Sequence, residues 1–228
     1  YGLLYDIMMS DLFLTGKVNN WAEKTQLVWT KIPAFLDMFP NGKAINIVRD
    51  PRSVLASFKK HTHAPEPAYL GAIFNCYDSM KLSLKYKKKY GENRFRVVKY
   101  EDLINFPEQT LTNLFNFLGL SSKHDLLIQK SWMDGYNKPW YHNSEFLPSN
   151  KLVKDFNKKD AINRWVNNLS DWEIALCEVI NEELFESFDY TLSGISKDWT
   201  RFLKPLLSDE KLNGYITNWI HNRKGVEE

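Results

Sequence analysis

The feature that most constrains this chain is the junction at residues 44–57. Ala44-Ile45-Asn46-Ile47-Val48 reads as a short buried strand. Arg49 follows, and then Asp50-Pro51. An aspartate caps a helix through its side chain, and proline suits the first turn because it has no N–H to lose. A strand, a tight turn and a helix over 51–61 are therefore expected in succession. A long helix is expected over 68–90, after the breaks at Pro65 and Pro67, with Gly91 ending it. A second strand is expected over 95–98, followed by Tyr100-Glu101-Asp102-Leu103. Pro107 then opens a helix over 108–118, which Gly119 closes. Two strands, each followed by a helix and with a further helix between them, predict an α/β fold with a parallel sheet flanked by helices. Ligands of such sheets bind at the carboxyl ends of the strands. Arg49 stands at one such end.

The remaining segments give a coarser picture. Residues 3–14 form an apolar helical stretch that ends near Gly16. Residues 27–38 are expected to be helical, with Pro33 marking a kink or a late start. Pro40-Asn41-Gly42 is a turn signal. Residues 131–160 are polar and aromatic without clear period, a long loop of the kind that often carries function. Helices return over 171–187 and 208–222. One domain is expected over residues 1–228, with 191–228 a helical C-terminal extension.

Apolar residues make up 43% and charged residues 25% of the 228-residue chain, which excludes disorder, collagen and coiled coil as descriptions of the whole. No apolar run approaches the roughly 20 residues that span a bilayer. Asp6 and Asp11 interrupt the apolar opening, so it is not a signal peptide, and a start at Tyr1 is read as a fragment or a processed piece. Cys76 and Cys177 have neither metal-binding spacing nor the density of a disulfide scaffold. They fit a reducing compartment, with the cytoplasm the expected location and a Golgi lumen the other.

The net charge of +2 is unevenly placed. Residues 81–100 carry eight basic residues against one acid, Glu92. Such a run either attracts an anion or forms the solvated face of a helix. Base-stacking aromatics are not clearly interleaved with it, so nucleic acid is not an expected partner.

At the first strand end, the Arg49 guanidinium can grip a phosphate bidentately, helped by the positive end of the helix that begins at Pro51. Ser57 lies seven residues after Asp50, about two turns along the same helix face. An arginine paired with a nearby carboxylate and a serine facing solvent fit the residues equally well.

The segment INIVRDPRSVLAS (45–57) resembles the 3′-phosphate-binding motif of sulfotransferases that use 3′-phosphoadenosine 5′-phosphosulfate (PAPS). In that family an arginine at a strand end and a serine eight residues later bind the 3′-phosphate, and Arg49 and Ser57 match types and spacing. VVKYEDLINFPEQTLTNLFNFLGL (97–120) resembles the family's Tyr-Glu-Asp-Leu segment and following helix, which implies that Tyr100 contacts the adenine. Glu101 and Asp102 are expected to cap the next element or pair with a base. SNKLVKDFNKKDAINRW (149–165) resembles the nucleotide-covering loop of tyrosylprotein-type and related sulfotransferases, with Ser149 opening it and Arg164 preceding the tryptophan. Trp21-Ala22-Glu23-Lys24-Thr25 resembles the strand whose lysine helps hold the transferring sulfuryl group, which makes Lys24 the catalytic candidate. The matches span about 21–190 in the family's order.

This resemblance implies a P-loop-NTPase-like sulfotransferase fold, N-terminally truncated, because the family's 5′-phosphosulfate loop is missing and is expected upstream of Tyr1. It implies transfer of a sulfuryl group from PAPS to a hydroxyl or amine of an acceptor, whether carbohydrate, tyrosyl or small molecule, without a metal. PAPS, its product 3′-phosphoadenosine 5′-phosphate (PAP) and the acceptor are the expected partners. No residue is assigned as general base, although Glu23, His61 and His63 are in reach of the motifs. Residues 63–67 and 130–146 are candidates for the acceptor pocket. The alternative function is a non-catalytic module of the same fold that binds an anionic glycan or peptide. A kinase of related architecture lacks support, since no Walker-type loop is visible.

Overall fold

The computed structural model describes residues 22, 24, 29–61, 66–121, 158–196, 198 and 200–226. Two strands, β1 (Ala44–Val48) and β2 (Phe95–Lys99), pair in parallel. Ala44 stands opposite Phe95 and Val48 opposite Lys99, so both strands end level. The chains leaving them, at Arg49 and Tyr100, therefore emerge side by side at one edge of the sheet.

The turn after β1 forms as its residues dictate. Asp50 Oδ1 accepts the Arg52 N–H at 2.9 Å, and α2 (Pro51–His61) begins there. After a 3-10 turn at Ala68–Leu70, α3 (Gly71–Tyr90) crosses back to feed β2. Its first two thirds are buried almost all round, with Ile73, Phe74 and Tyr77 fully covered. This helix also satisfies the one polar residue of β1: the Asn46 amide donates to Ser83 Oγ at 2.6 Å and Ser79 Oγ at 3.1 Å. β1 is not buried throughout, as its apolar run predicts. Burial alternates, and Ile45 and Ile47 are 37% and 57% exposed, because successive strand side chains point to opposite faces.

Beyond β2 come α4 (Tyr100–Asn105) and α5 (Pro107–Leu118), the latter closed by Gly119 at φ 74°. Two short helices follow in the described C-terminal half, α6 (Lys158–Asn163) and α7 (Trp165–Asn168). Next are α8 (Asp171–Phe185), α9 (Thr200–Ser208) and α10 (Glu210–Asn222). The main core joins α2, α3, α8 and α10 through Leu55, Phe74, Cys177, Ile180, Leu212 and their neighbours. No helix among the described residues is long and apolar enough to cross a membrane.

Several boundaries differ from expectation. A 3-10 turn, Trp29–Lys31, leads into α1 (Ile32–Met38), whose first turn holds Pro33, so the proline marks a late start and not a kink. The helix expected over 208–222 is α10 alone, opened by Asp209, whose carboxylate accepts the Leu212 N–H at 3.0 Å. α9 has no expected counterpart, because Pro205 lies inside it and proline ordinarily marks a helix end. The loop expected to reach 160 has given way to helix by Lys158, and its earlier part lies outside the described residues, as does the stretch 3–14.

Two buried carboxylates fasten the helices. Asp78 of α3 accepts the N–H groups of Gly225 and Val226, each at 2.6 Å, and so clamps the chain beyond α10. Any Cβ on Gly225 would come within 2.1 Å of the Phe74 carbonyl oxygen. Asp78→Ala leaves two N–H donors unpaired and is expected to cost about 2 kcal/mol, read as a lower urea midpoint. Glu173 opens α8 in a capping box with Ser170 and also receives Tyr69 Oη at 2.5 Å and Lys59 Nζ at 2.9 Å. Burial raises its pKa, but these hydrogen bonds outweigh burial and hold it below the ordinary 4.5. A depressed carboxylate stabilises the fold above its unfolded pKa, and that contribution fades as pH falls through the folded value. The stability gap between the wild type and Glu173→Gln should therefore narrow as denaturation is followed from pH 7 to below 4.5.

Candidate functional site

The level strand ends are locked together by Glu101. Its Oε1 accepts the backbone N–H of Asp50 at 2.9 Å, and its Oε2 accepts the Tyr190 hydroxyl at 3.1 Å. Glu101 is thus a tie between the first turn of α4 and the turn after β1.

Arg52 is the centre of a buried network one step along α2. It is 3% exposed. Its Nε and Nη2 grip the two oxygens of Asp50 at 3.0 and 2.7 Å. Its Nη1 donates to Glu178 Oε1 at 2.7 Å and to the Thr191 carbonyl at 2.9 Å. The guanidinium also lies 4.2 Å from the Trp165 ring centre and 5.1 Å from that of Phe185. Burial disfavours its charge, but the bonds to Asp50 and Glu178 outweigh that and raise its pKa above the ordinary arginine value. Glu178 Oε1 also accepts the Ser193 N–H at 2.8 Å.

This network seats the segment 158–168 against the start of α2. Ser53, fully buried, donates to the Ile162 carbonyl, and Arg49 Nη2 donates to the Ala161 carbonyl. Arg164 is thereby brought within electrostatic reach of Arg49. The Arg49 guanidinium lies 4.4 Å from the Tyr100 ring centre. Burial lowers the Arg49 pKa, and the like charge of Arg164 lowers it further, against the opposing effects of Tyr100, Glu101 and Asp50. Arg49 Nε and Arg164 Nη1 are buried without a hydrogen-bond partner among the described residues. Each such donor costs about 1–3 kcal/mol if left unmade. An anion supplies the missing acceptor and relieves the repulsion of the two cations.

The fold therefore gathers Arg49, Tyr100 and Arg164. Ser57 is half-buried on α2, one turn beyond Ser53 and on the same face, the face that meets α6. Lys24 is exposed, and no contact among the described residues ties it to the cluster. Ser149, Glu23 and His63 lie outside the described residues, as does the aromatic stretch 130–146. Among the described residues, no group of three His, Cys, Asp or Glu is placed to hold a metal ion. Burial pushes the Cys76 thiol up to about 12 and the Cys177 thiol well above its ordinary value, so neither is a nucleophile at neutral pH.

Sequence reasoning misses Arg52, Ser53 and Trp165. The only local sign for Arg52 is its place two residues after a helix-capping aspartate. Its decisive partner, Glu178, is 126 residues away. Arg52→Ala leaves Asp50 and Glu178 as unpaired buried carboxylates, and a loss of about 3–5 kcal/mol is expected in chemical denaturation. Trp165→Leu keeps both ion pairs and should cost distinctly less in the same measurement.

Comparison with known proteins adds an identity to this geometry. No curated protein matches the chain. Among solved structures, it is similar to the sulfotransferase domain from the Synechococcus PCC 7002 olefin synthase, at 23% identity and a TM-score of 0.47, over 66% of this chain and 50% of that one. It is also similar to the sulfotransferase domain from the curacin biosynthetic pathway, at 19% identity and a TM-score of 0.48, over 73% of this chain and 60% of that one. The matched part thus spans about half to three fifths of those domains' length. The model of the sulfotransferase family matches residues 4–125, a stretch that includes Arg49, Ser57 and Tyr100. That match covers more than half of the 228 residues, and the chain belongs to the sulfotransferase family.

Proposed function

We propose that Arg49, Ser57, Tyr100 and Arg164 bind the nucleotide of PAPS, and that the protein transfers a sulfuryl group from it to a hydroxyl or amine acceptor. The observation that carries this reading is the pair of buried guanidinium donors at the carboxyl edge of the sheet, Arg49 Nε and Arg164 Nη1, which have no hydrogen-bond partner among the described residues. Their donor set fits a phosphate group, because arginine forks match its oxygens and cannot lose their charge. PAPS, when bound, supplies the activated sulfuryl group.

The chain's own residues position and neutralise. Arg49, in the turn after β1, and Arg164, between α6 and α7, hold the 3′-phosphate from two elements. Ser57 adds a hydroxyl donor from α2. Tyr100 orients the Arg49 guanidinium through its ring and offers its hydroxyl to the adenine. The closed network around Arg52 fixes the distance between the two arginines. Lys24, as the cation for the migrating group, and Ser149, as the opening of the covering loop, rest on sequence resemblance alone. No step here needs a metal, since charge on the equatorial oxygens is met by fixed cations.

Calorimetric titration with PAP and with 5′-AMP tests the assignment. Arg49→Ala is expected to weaken PAP binding roughly 10- to 100-fold, about 1.4–2.8 kcal/mol, and to leave AMP binding nearly unchanged. Equal losses for both nucleotides would sink the 3′-phosphate role.

A further inference from the structure

The last four carbonyls of a helix have no partner within it, and in the short α6 two of these belong to Ala161 and Ile162. Both find donors near the start of α2. Arg49 Nη2 donates to the Ala161 carbonyl, and Ser53 Oγ donates to the Ile162 carbonyl. Arg164 follows two residues later, with helical backbone angles of φ −53° and ψ −32°. Its own carbonyl accepts the Asn168 amide at 2.7 Å. The Trp165 ring next to it meets the Arg52 guanidinium at 4.2 Å. Contacts at 161, 162 and 165 therefore bracket Arg164 along the chain.

These three tethers are not equivalent. The Arg49 guanidinium is planar and rigid, and it holds Ala161 with the same plane whose Nε has no hydrogen-bond partner among the described residues. An anion that draws this plane toward itself also alters the hold on Ala161. The contact of Arg52 with Trp165 is a ring contact, with less directional demand than a hydrogen bond. Ser53 differs from both. It is fully buried, and its hydroxyl has one proton, which goes to Ile162. Its place on the first turn of α2 is fixed by the Asp50 cap, whose carboxylate accepts the Arg52 N–H, and by the Val54 N–H bond to the Asp50 carbonyl at 3.0 Å. Ser53 is thus the directional tether that stands outside the Arg49, Tyr100 and Arg164 cluster.

We propose that Ser53 is a positioning residue of the nucleotide site: by holding the Ile162 carbonyl it sets where Arg164 meets Arg49. This rests on the reading of Arg49 and Arg164 as the phosphate-binding pair. The two guanidinium groups lie within electrostatic reach and repel each other. A fixed bond to α6 opposes that repulsion and keeps Arg164 in place before an anion arrives, and a preorganised site binds at lower cost. Loss of the Ser53 hydroxyl lets residues 158–168 yield to the repulsion, so affinity falls for a nucleotide that uses both arginines. A nucleotide without the 3′-phosphate is little affected.

The test is a double-mutant cycle on the full chain, read by calorimetric titration with PAP and with 5′-AMP. Arg164→Ala is expected to weaken PAP binding roughly 10-fold, and Ser53→Ala roughly 5-fold, with AMP affinity nearly unchanged in both. Ser53→Ala adds no volume to its buried position, and Ser53→Cys, which keeps a weak S–H donor, should fall between it and the wild type. In the Arg164→Ala background, Ser53→Ala should have no further effect on PAP, because residues that act through one another are not additive. The positioning role is overturned if Ser53→Ala costs as much with Arg164 absent as with it present, if PAP and AMP weaken equally, or if PAP binding is unchanged. If Arg164→Ala itself leaves PAP binding intact, the nucleotide role of Arg164 falls, and the positioning role falls with it.

Discussion

The arrangement of this protein depends on one buried cation. Arg52 holds Asp50 with a two-pronged grip, reaches Glu178 and the Thr191 carbonyl with its remaining nitrogen, and stacks near Trp165. Four segments distant in sequence thus meet at one guanidinium. A buried charge is tolerable only when its partners are complete, and here two carboxylates and a carbonyl complete it. The geometry leaves little freedom, because a planar fork must meet each acceptor in its own direction.

That constraint is transmitted to the candidate site. Asp50 is both the cap of α2 and the neighbour of Arg49, so the grip on Asp50 sets where Arg49 leaves the sheet. Trp165 adjoins Arg164, so stacking on Trp165 sets where the second arginine arrives. Glu101 ties Asp50 to the first turn of α4 and so holds Tyr100 beside Arg49. Arg49 Nε and Arg164 Nη1 are buried donors that this packing leaves without a hydrogen-bond partner among the described residues, and the proposed nucleotide would supply their acceptor. Positive charge is meanwhile divided between two edges of one sheet, and strand direction decides which residues go to which.

Much of the framework was legible from local patterns. Asp50-Pro51 marked the start of α2, Gly91 and Gly119 marked helix ends, and both strands were placed within a residue. These succeed because capping, proline geometry and left-handed glycine are properties of a few adjacent residues. The misses have the opposite character. α9 was hidden because Pro205 sits inside it, stabilised by Leu206 packing into the core. Asn46 finds partners for its amide only in space, at Ser79 and Ser83 of α3. Glu101 read as a cap or a partner for a base, and turned out to tie two strand ends through an N–H and a hydroxyl.

Short-range spacing along the chain sets the α/β class, the strand–turn–helix at Arg49, and the residues that resemble a sulfotransferase. Which of them meet is set by long-range packing. It put Arg164 beside Arg49 and left Lys24 without a contact to them among the described residues. It also sent the basic end of α3 to the far edge of the sheet. The physical reason is that buried ion pairs such as Arg52 with Glu178 join residues 126 positions apart, and no local pattern encodes a partner at that range.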